Sequence, residues 1–292
     1  MNFPKASIVV ATINNSITLK KTLNAMNSLS YPAKYEIIVV NDGSTDNTKE
    51  MLEKEFEGKE KFKIVNLPHV GACKARNTGI RKAKGEIIVI MDHDCIPKKN
   101  WLKDLIKGFD SDKVGMVSSF DIGGGTSTAF RRTALKKTGL FDEKYYYYRE
   151  DTDLVFRIIE AGYKAKEVKA EYIHDHKLVK PEGIINLARH AFQRVMYHHN
   201  DVLLYKKHPE LAKEFLGVKF GFIVNPSKDF RAATGTWASG VSYSLSSPRG
   251  ITYIKNKSPL HSIIIFLLGA IYVIAVKAAR LYGSIKFGKL LV

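Results

Sequence analysis

Asp92 and Asp94, separated by His93, follow directly on the apolar run Ile87–Met91, and Glu150 and Asp151 open the segment EDTDLVFRIIEAGY. A strand that delivers two carboxylates at its carboxyl end supplies hard oxygen ligands. These suit Mg2+ or Mn2+ and the phosphates such an ion carries. In extended backbone, residues two apart point to the same side, so Asp92 and Asp94 can face one ion. The second pair, further along the chain, offers a general base of the kind that takes a proton from an attacking hydroxyl.

Both pairs need a scaffold to bring them together. The first ninety-five residues alternate short apolar runs with amphipathic stretches. Ala6–Ala11, Tyr35–Val40, Phe62–Leu67 and Glu86–Met91 read as strands. Ser16–Leu29, Asp46–Phe56 and Lys74–Lys82 read as helices, the first with Ile17, Leu19, Leu23 and Met26 close to helical spacing. This alternation implies βαβ units and a parallel sheet with right-handed crossovers. In such sheets ligands bind beyond the carboxyl ends of the strands. Those ends carry ATINN, NDGSTD and DHDC, so the polar residues fall where the topology needs them. From Asp121 the pattern changes. Gly123-Gly124-Gly125 reads as a loop, Thr126–Thr133 as a strand, Asp151–Ala161 as a helix closed by Gly162, and Ala170–His174 as a last strand. Asp153 and Arg157 are spaced for an i, i+4 ion pair.

The chain has 292 residues, 45% of them hydrophobic, enough for one substantial domain and an appendage. Lys and Arg number 46 against 29 Asp and Glu, and the net charge of +17 calls for an anionic partner. No zinc-finger spacing, RNA-binding signature or homeodomain-like run accompanies that charge. No nucleic-acid partner is therefore expected, and phosphorylated substrates or an anionic membrane surface fit better. Cys73 and Cys95 stand outside any CxxC pair, which suits a reducing compartment. The N-terminus enters an apolar strand at once, without the pattern of a signal peptide, so the bulk of the protein is expected in the cytosol.

The nineteen residues between Lys257 and Lys277 carry no formal charge. As a helix they span about 28 Å, close to the hydrocarbon thickness of a bilayer. Basic residues stand on both sides, so the positive-inside rule gives no orientation, and spanning and re-entrant placements both stay open. Upstream, Ile184, Leu187, Ala188, Ala191, Phe192 and Val195 form a helical stripe with Arg189, Arg194 and Lys206 off it. That pattern packs on a core or lies on a lipid surface. The expected division is an α/β domain over 1–176, a basic amphipathic helical region over 177–257, and a hydrophobic membrane segment with a basic tail over 258–292.

Five motifs occur in order: ASIVVATINN, EIIVVNDGSTDNT, HVGACKARNTGIRKAKGEIIVIMDHDC, GLFDEKYYYYREDTDLVFRIIEAGYKA and AEYIHDH. Together they resemble the family 2 inverting glycosyltransferases of the GT-A fold. FQRVMYHHNDVLLYKKHPEL is similar to the basic helix that follows this domain in membrane-associated members. The resemblance implies a mixed, mainly parallel sheet between helices, and it assigns roles position by position. Thr12, Asn14 and Asp42 would hold the base and ribose of a nucleotide, Arg76 and Asn77 would lie near the base, and Asp92 near the ribose. Asp94 would reach the Mg2+ or Mn2+ that bridges the phosphates, with His174 as a second metal ligand. The neighbouring His176 leaves that register open by two residues. Asp151 would be the base, Glu150 would orient it or bind the acceptor, and Gly123, Gly124 and Gly125 would line the acceptor pocket. One departure is visible: many members carry a proline and an aromatic where this chain reads Ala11-Thr12-Ile13-Asn14.

The same residues also have plainer readings. Asp42-Gly43-Ser44 suits a tight turn and a helix cap, and Glu150 and Asp151 suit a helix N-terminus. Tyr145–Tyr148 can stack on sugars or place alternate residues in the core, and Arg131 and Arg132 can meet phosphate or solvent.

The resemblance thus implies inverting transfer of a sugar from a nucleotide-diphosphate donor, UDP first, to a lipid-linked or cell-surface glycan acceptor. The site would lie on the cytoplasmic side of the cell membrane. A polyprenyl-phosphate acceptor is the alternative within the class, and its attacking oxygen, already ionised, would need Asp151 less. Nucleotidyl transfer is disfavoured because ATINNS is not a Gly-rich basic loop. A non-enzymatic nucleotide-sugar sensor or membrane scaffold is the remaining class, and the presence of Asp94, Asp151 and His174 together argues against it.

Overall fold

The computed structural model describes residues 3–121, 123–175, 183–234, 241–244, 252–255 and 259–292. The chain divides into two compact units, Met1–Asp175 and His176–Val292.

The first unit runs β1 (Ala6–Thr12), α1 (Ser16–Asn27), β2 (Tyr35–Asp42), α2 (Thr48–Glu55), β3 (Phe62–Leu67), α3 (Ala72–Lys82) and β4 (Ile87–Ile90). It continues through β5 (Cys95–Pro97), α4 (Trp101–Ile106), β6 (Val114–Ser118), β7 (Thr128–Arg131) and α5 (Arg132–Thr138). It closes with α6 (Glu150–Glu160), β8 (Lys164–Glu167) and β9 (Tyr172–His174). Seven strands form one sheet in the order β3-β2-β1-β4-β7-β6-β8. The pairs β1/β2, β1/β4, β2/β3 and β6/β8 are parallel, and β7 alone runs against its neighbours β4 and β6.

Strand alternation explains the packing. Ile8, Val10, Ile37, Val39, Ile87 and Val89 face the layer of α1, α2 and α4, where Leu19, Leu23, Leu52, Trp101 and Leu105 meet them. Val9, Ile38, Val40, Ile88 and Ile90 face the other layer, with Ala75 and Ile80 of α3, Leu135 of α5, and Leu154 and Ile158 of α6. Because both faces are covered, these strands read in sequence as unbroken apolar runs.

The reversed β7 matters most for the site. Thr128 at its start pairs with Ile90 at the end of β4 and with Ser118 at the end of β6. The connection 119–127, with its glycines, must therefore lie at the carboxyl edge of β4, where Asp92 emerges. The sequence reading expected one strand over Thr126–Thr133. The strand is confined to Thr128–Arg131, and α5 starts at Arg132. Two guanidinium groups fix this corner: Arg131 donates to the carbonyls of Val114 and Ser111 at 3.1 and 3.0 Å. Arg132 donates to those of Gly85 and Ala83 at 2.6 and 2.8 Å. Both arginines thus bind backbone.

Gly162 closes α6 as expected. At φ +89° its N–H donates to the Ile159 carbonyl, and Tyr163 N–H reaches back to Ile158, which satisfies the last turn. The Asp153–Arg157 pair also forms, at 2.9 Å, and Arg157 extends to the carbonyls of Thr138 and Leu140.

The second unit contains α7 (Ile184–Met196), a 3-10 turn (Tyr197–His199), α8 (Asn200–Lys207), α9 (Pro209–Leu216), β10 (Val218–Lys219) and β11 (Ile223–Val224). It ends with α10 (Pro226–Thr234), β12 (Val241–Ser244), β13 (Thr252–Lys255) and α11 (Pro259–Phe287). By length and composition Phe266–Phe287 could cross a membrane. Yet α11 runs on past the uncharged stretch, so Lys277, Arg280 and Lys286 lie within the helix. Arg280 is 1% exposed and makes a bidentate pair with Asp229, plus a 2.9 Å contact to Asp201. A buried guanidinium is tolerable only with such partners.

Candidate active site

Four connections meet at the carboxyl edge of the sheet. At the end of β1, Asn14 takes φ +48°, and its Oδ1 accepts the Thr45 N–H at 2.7 Å, while its own N–H donates to Ser44 Oγ at 3.0 Å. Asn14 thus ties the β1 end to the turn after β2. Thr12 is 3% exposed, and its Oγ1 has no hydrogen-bond partner. At the end of β2, Asp42 is buried, and its two oxygens accept the Val70 and Gly71 N–H groups at 2.7 and 2.9 Å. Capping of α2 falls instead to Asp46, which accepts the Thr48 N–H at 3.0 Å.

At the end of β4, Asp92 donates its N–H to Thr126 Oγ1 at 3.0 Å. Its carboxylate, 37% exposed, lies 3.4 Å from Arg76. Arg76, from the middle of α3, also reaches Glu150 at 3.1 Å and Asp151 at 3.8 Å. One guanidinium therefore gathers three carboxylates from β4 and α6. Burial alone would lower the Arg76 pKa, but Asp151, Asp92 and Glu150 outweigh it and push it up. The cluster keeps an excess of negative charge. Burial first, then the charges of Glu150 and Asp92, raise the Asp151 carboxyl to about 7, with Arg76 opposing. Glu150 is 4% exposed, and its Oε2 has no hydrogen-bond partner among the described residues.

The backbone ahead of this pair is unusual. Tyr148 and Arg149 both have positive φ, 72° and 78°, so the start of α6 is entered through two left-handed non-glycine residues. Each costs on the order of 1 kcal/mol. Of the tyrosine run, Tyr145 is fully buried while Tyr146 and Tyr147 are exposed. Gly124 closes over Asp151: at φ +99°, an added Cβ would lie 2.5 Å from the Asp151 Cβ. Gly123 holds its N–H to Asp121 at 2.7 Å, and Gly125 has φ +98°.

Asp94 and His174 come together through the small antiparallel pair β5/β9, in which Cys95 lies opposite His174. His174 Nε2 is 3.3 Å from Asp94 Oδ2. That hydrogen bond raises the His174 pKa against the effect of burial. Cys95 completes a group of three whose ligand atoms all lie within 4.8 Å of one another. Burial pushes the Cys95 thiol up, so it stays protonated and belongs to the core. The remaining donor set, a carboxylate and an imidazole with Asp92 nearby, fits a hard-to-borderline divalent cation such as Mn2+. His176 lies outside the described residues.

The sequence reading thus named the carboxylates and His174 without the contacts that join them. It missed Thr126, whose hydroxyl accepts the Asp92 N–H and lies 3.4 Å from Cys95 Sγ. The signal was its place directly after the three glycines. It also missed the Val70 and Gly71 N–H groups, which no side-chain pattern announces.

Residues 7–161 match the family model described as Glycosyl transferase family 2. Over 133 residues the chain is 35% identical to the glycosyltransferase AglE of Haloferax volcanii, covering 44% of each protein. It is 31% identical over 203 residues to the probable glycosyltransferase YdaM of Bacillus subtilis, covering 55% of this chain and 48% of YdaM. The matches span less than half the length of these relatives. Among solved structures, the mannosyltransferase PcManGT of Pyrobaculum calidifontis, in complex with GDP-Man and Mn2+, superposes with a TM-score of 0.63 at 19% identity. That similarity covers 96% of this chain and 88% of PcManGT and concerns the fold.

Proposed function

The chain belongs to glycosyl transferase family 2, and from that membership we propose that it transfers a sugar, with inversion, from a nucleotide-diphosphate donor to a lipid-linked or cell-surface glycan. The observation that carries this reading is the meeting of Asp92, Glu150 and Asp151 on Arg76, with Asp94 and His174 beside them.

Thr12, Asn14 and Asp42 form the nucleotide end. Asp42 Oδ2 also faces the His69 ring at 3.3 Å, so Oδ1 is the oxygen left to accept a ring N–H of uracil beyond its bond to Val70. UDP is therefore the first donor to try, with GDP beside it, because guanine also presents a ring N–H and PcManGT was solved with GDP-Man. Asp94 and His174 would hold a divalent cation, Mn2+ or Mg2+, which supplies Lewis-acid stabilisation of the departing diphosphate. Mn2+ in PcManGT supports this choice.

Asp151 takes the proton of the acceptor hydroxyl as that oxygen attacks the anomeric carbon from the face opposite the diphosphate. A carboxyl poised at about 7 suits proton transfer near neutral pH. Arg76 keeps enough of it ionised to act, and Gly124 lets the acceptor loop close directly over it. Glu150, held by Arg76 through one oxygen, orients the Asp151 carboxyl beside it. A site on the cytoplasmic side of the cell membrane, where a lipid-linked acceptor is reached, is part of this proposal, and the apolar helix Phe266–Phe287 supports the membrane half of it.

The test is transfer from UDP-sugars to a hydroxyl acceptor, with the product's anomeric configuration read by NMR. An inverted product is expected, with Asp151→Asn slowing transfer by about 10²–10⁴-fold. A retained configuration or a wild-type rate in Asp151→Asn overturns the mechanism. Activity of the variant confined to a phosphate acceptor selects polyprenyl phosphate instead.

A further inference from the structure

α11 carries an apolar stripe left uncovered by the described residues. Ile264, Leu267, Ile271, Ile274, Leu281 and Ile285, with Ala278 filling the one gap, follow each other in steps of three or four. These six side chains are 47–80% exposed. Such steps keep one face of a helix throughout. The opposite face of the carboxyl half is buried: Val276, Ala279, Arg280 and Ser284 are at most 9% exposed. α7, which packs against α11, has no buried residue and exposes Ile184, Ile185, Leu187 and Phe192. Neither helix contains an Asp or Glu, while Arg189, Arg194, Lys277 and Lys286 supply positive charge.

A second copy pairing along the stripe would be a coiled coil, whose seam is normally flanked by charged residues. Here the flanking positions are Leu268, Ala270, Ala275, Lys277, Tyr282 and Ser284, of which Lys277 alone is charged, and Leu268 and Tyr282 are themselves 61% and 50% exposed. A lipid surface accommodates seam, flanks and α7 alike. A full crossing is disfavoured on charge. The candidate span Phe266–Phe287 would carry Lys277, Arg280 and Lys286 to membrane depth, and Asp201 and Asp229 with them. An in-plane helix keeps this ion cluster within protein and gives lipid the apolar stripe with its flanks and α7.

We propose that the second unit is a monotopic anchor: α11 lies in the plane of an anionic bilayer surface on its exposed stripe, α7 beside it, with both ends of α11 on one side. This rests on the membrane-surface reading above but not on the sugar-transfer chemistry. The full chain should float with vesicles of phosphatidylcholine mixed with phosphatidylglycerol and less with phosphatidylcholine alone. Ile271→Glu combined with Ile274→Glu, at exposed positions, should weaken flotation about tenfold or more while nucleotide binding and the melting curve are kept. Single cysteines at Lys257→Cys and Lys289→Cys, which flank α11 in sequence, should both react with an impermeant maleimide in inverted membrane vesicles and neither in intact cells. Flotation with labelling from opposite sides leaves the membrane reading standing and overturns the in-plane seat. No flotation, or a double variant that floats like wild type, overturns the anchor, and nucleotide binding then judges the enzyme separately.

Discussion

Asp151 is the residue whose chemistry can be read most directly from its surroundings. Its carboxyl is raised from 3.8 to about 7 by burial and by Glu150 and Asp92. Two consequences of opposite sign follow. In the proposed mechanism the base form is needed for attack, so kcat/KM for a hydroxyl acceptor should rise with pH to a plateau, with its midpoint near 7 in the free enzyme. Stability moves the other way. A carboxyl harder to ionise in the folded state stabilises below the unfolded pKa, and that contribution is lost as pH rises through the folded value. Asp151→Asn, which never ionises, should therefore melt higher than wild type at pH 8 and about equally at pH 4. A pH–rate profile without an acidic limb near 7, or an Asn variant less stable than wild type at pH 8, would contradict this assignment. Cation binding beside the cluster adds positive charge and should pull the midpoint down.

At the scale of elements, the reversed strand β7 makes the site. It carries loop 119–127 back to the edge where β4 ends, so Gly124 can lie on Asp151 and Thr126 can hold the Asp92 N–H. Gly124→Ala should be costly for two independent reasons, the φ of +99° and the 2.5 Å approach to the Asp151 Cβ. The expected result is turnover reduced about 10²-fold, with nucleotide binding changed by no more than about threefold, because only the acceptor half is displaced. Equal losses in both would place the loop in the donor half. Much of this architecture was legible beforehand. β1 to β4 and the helices between them show in sequence because each parallel strand is a continuous apolar run and each helix has a polar face. β5, β6 and β8, of three to five residues, did not show, although the equally short β9 was read within Ala170–His174. Nor did α5, whose start is fixed by Arg131 and Arg132 reaching carbonyls distant in sequence. The same limit applies within the site: carboxylates announce themselves by type, but Arg76 as their common partner follows only from α3 packing on β1 and β2, from which its side chain reaches Asp92, Glu150 and Asp151.

The chain joins an α/β unit, to which the proposed chemistry belongs, to a helical unit whose α7 and α11 expose apolar and basic residues. The net charge of +17 suits both an anionic donor and an anionic surface. Family membership accounts for the first unit, while the helical unit lies beyond the matched residues 7–161. Sugar-transfer chemistry depends first on donor capture, and in the proposed mechanism that capture runs through Asp94. The decisive measurement is calorimetric titration of the full-length protein with UDP and GDP, with and without Mn2+, repeated on Asp94→Ala. The account predicts cation-dependent binding of one nucleotide that is lost in the variant. Binding of neither nucleotide under any cation condition, or binding that Asp94→Ala leaves unchanged, would contradict it.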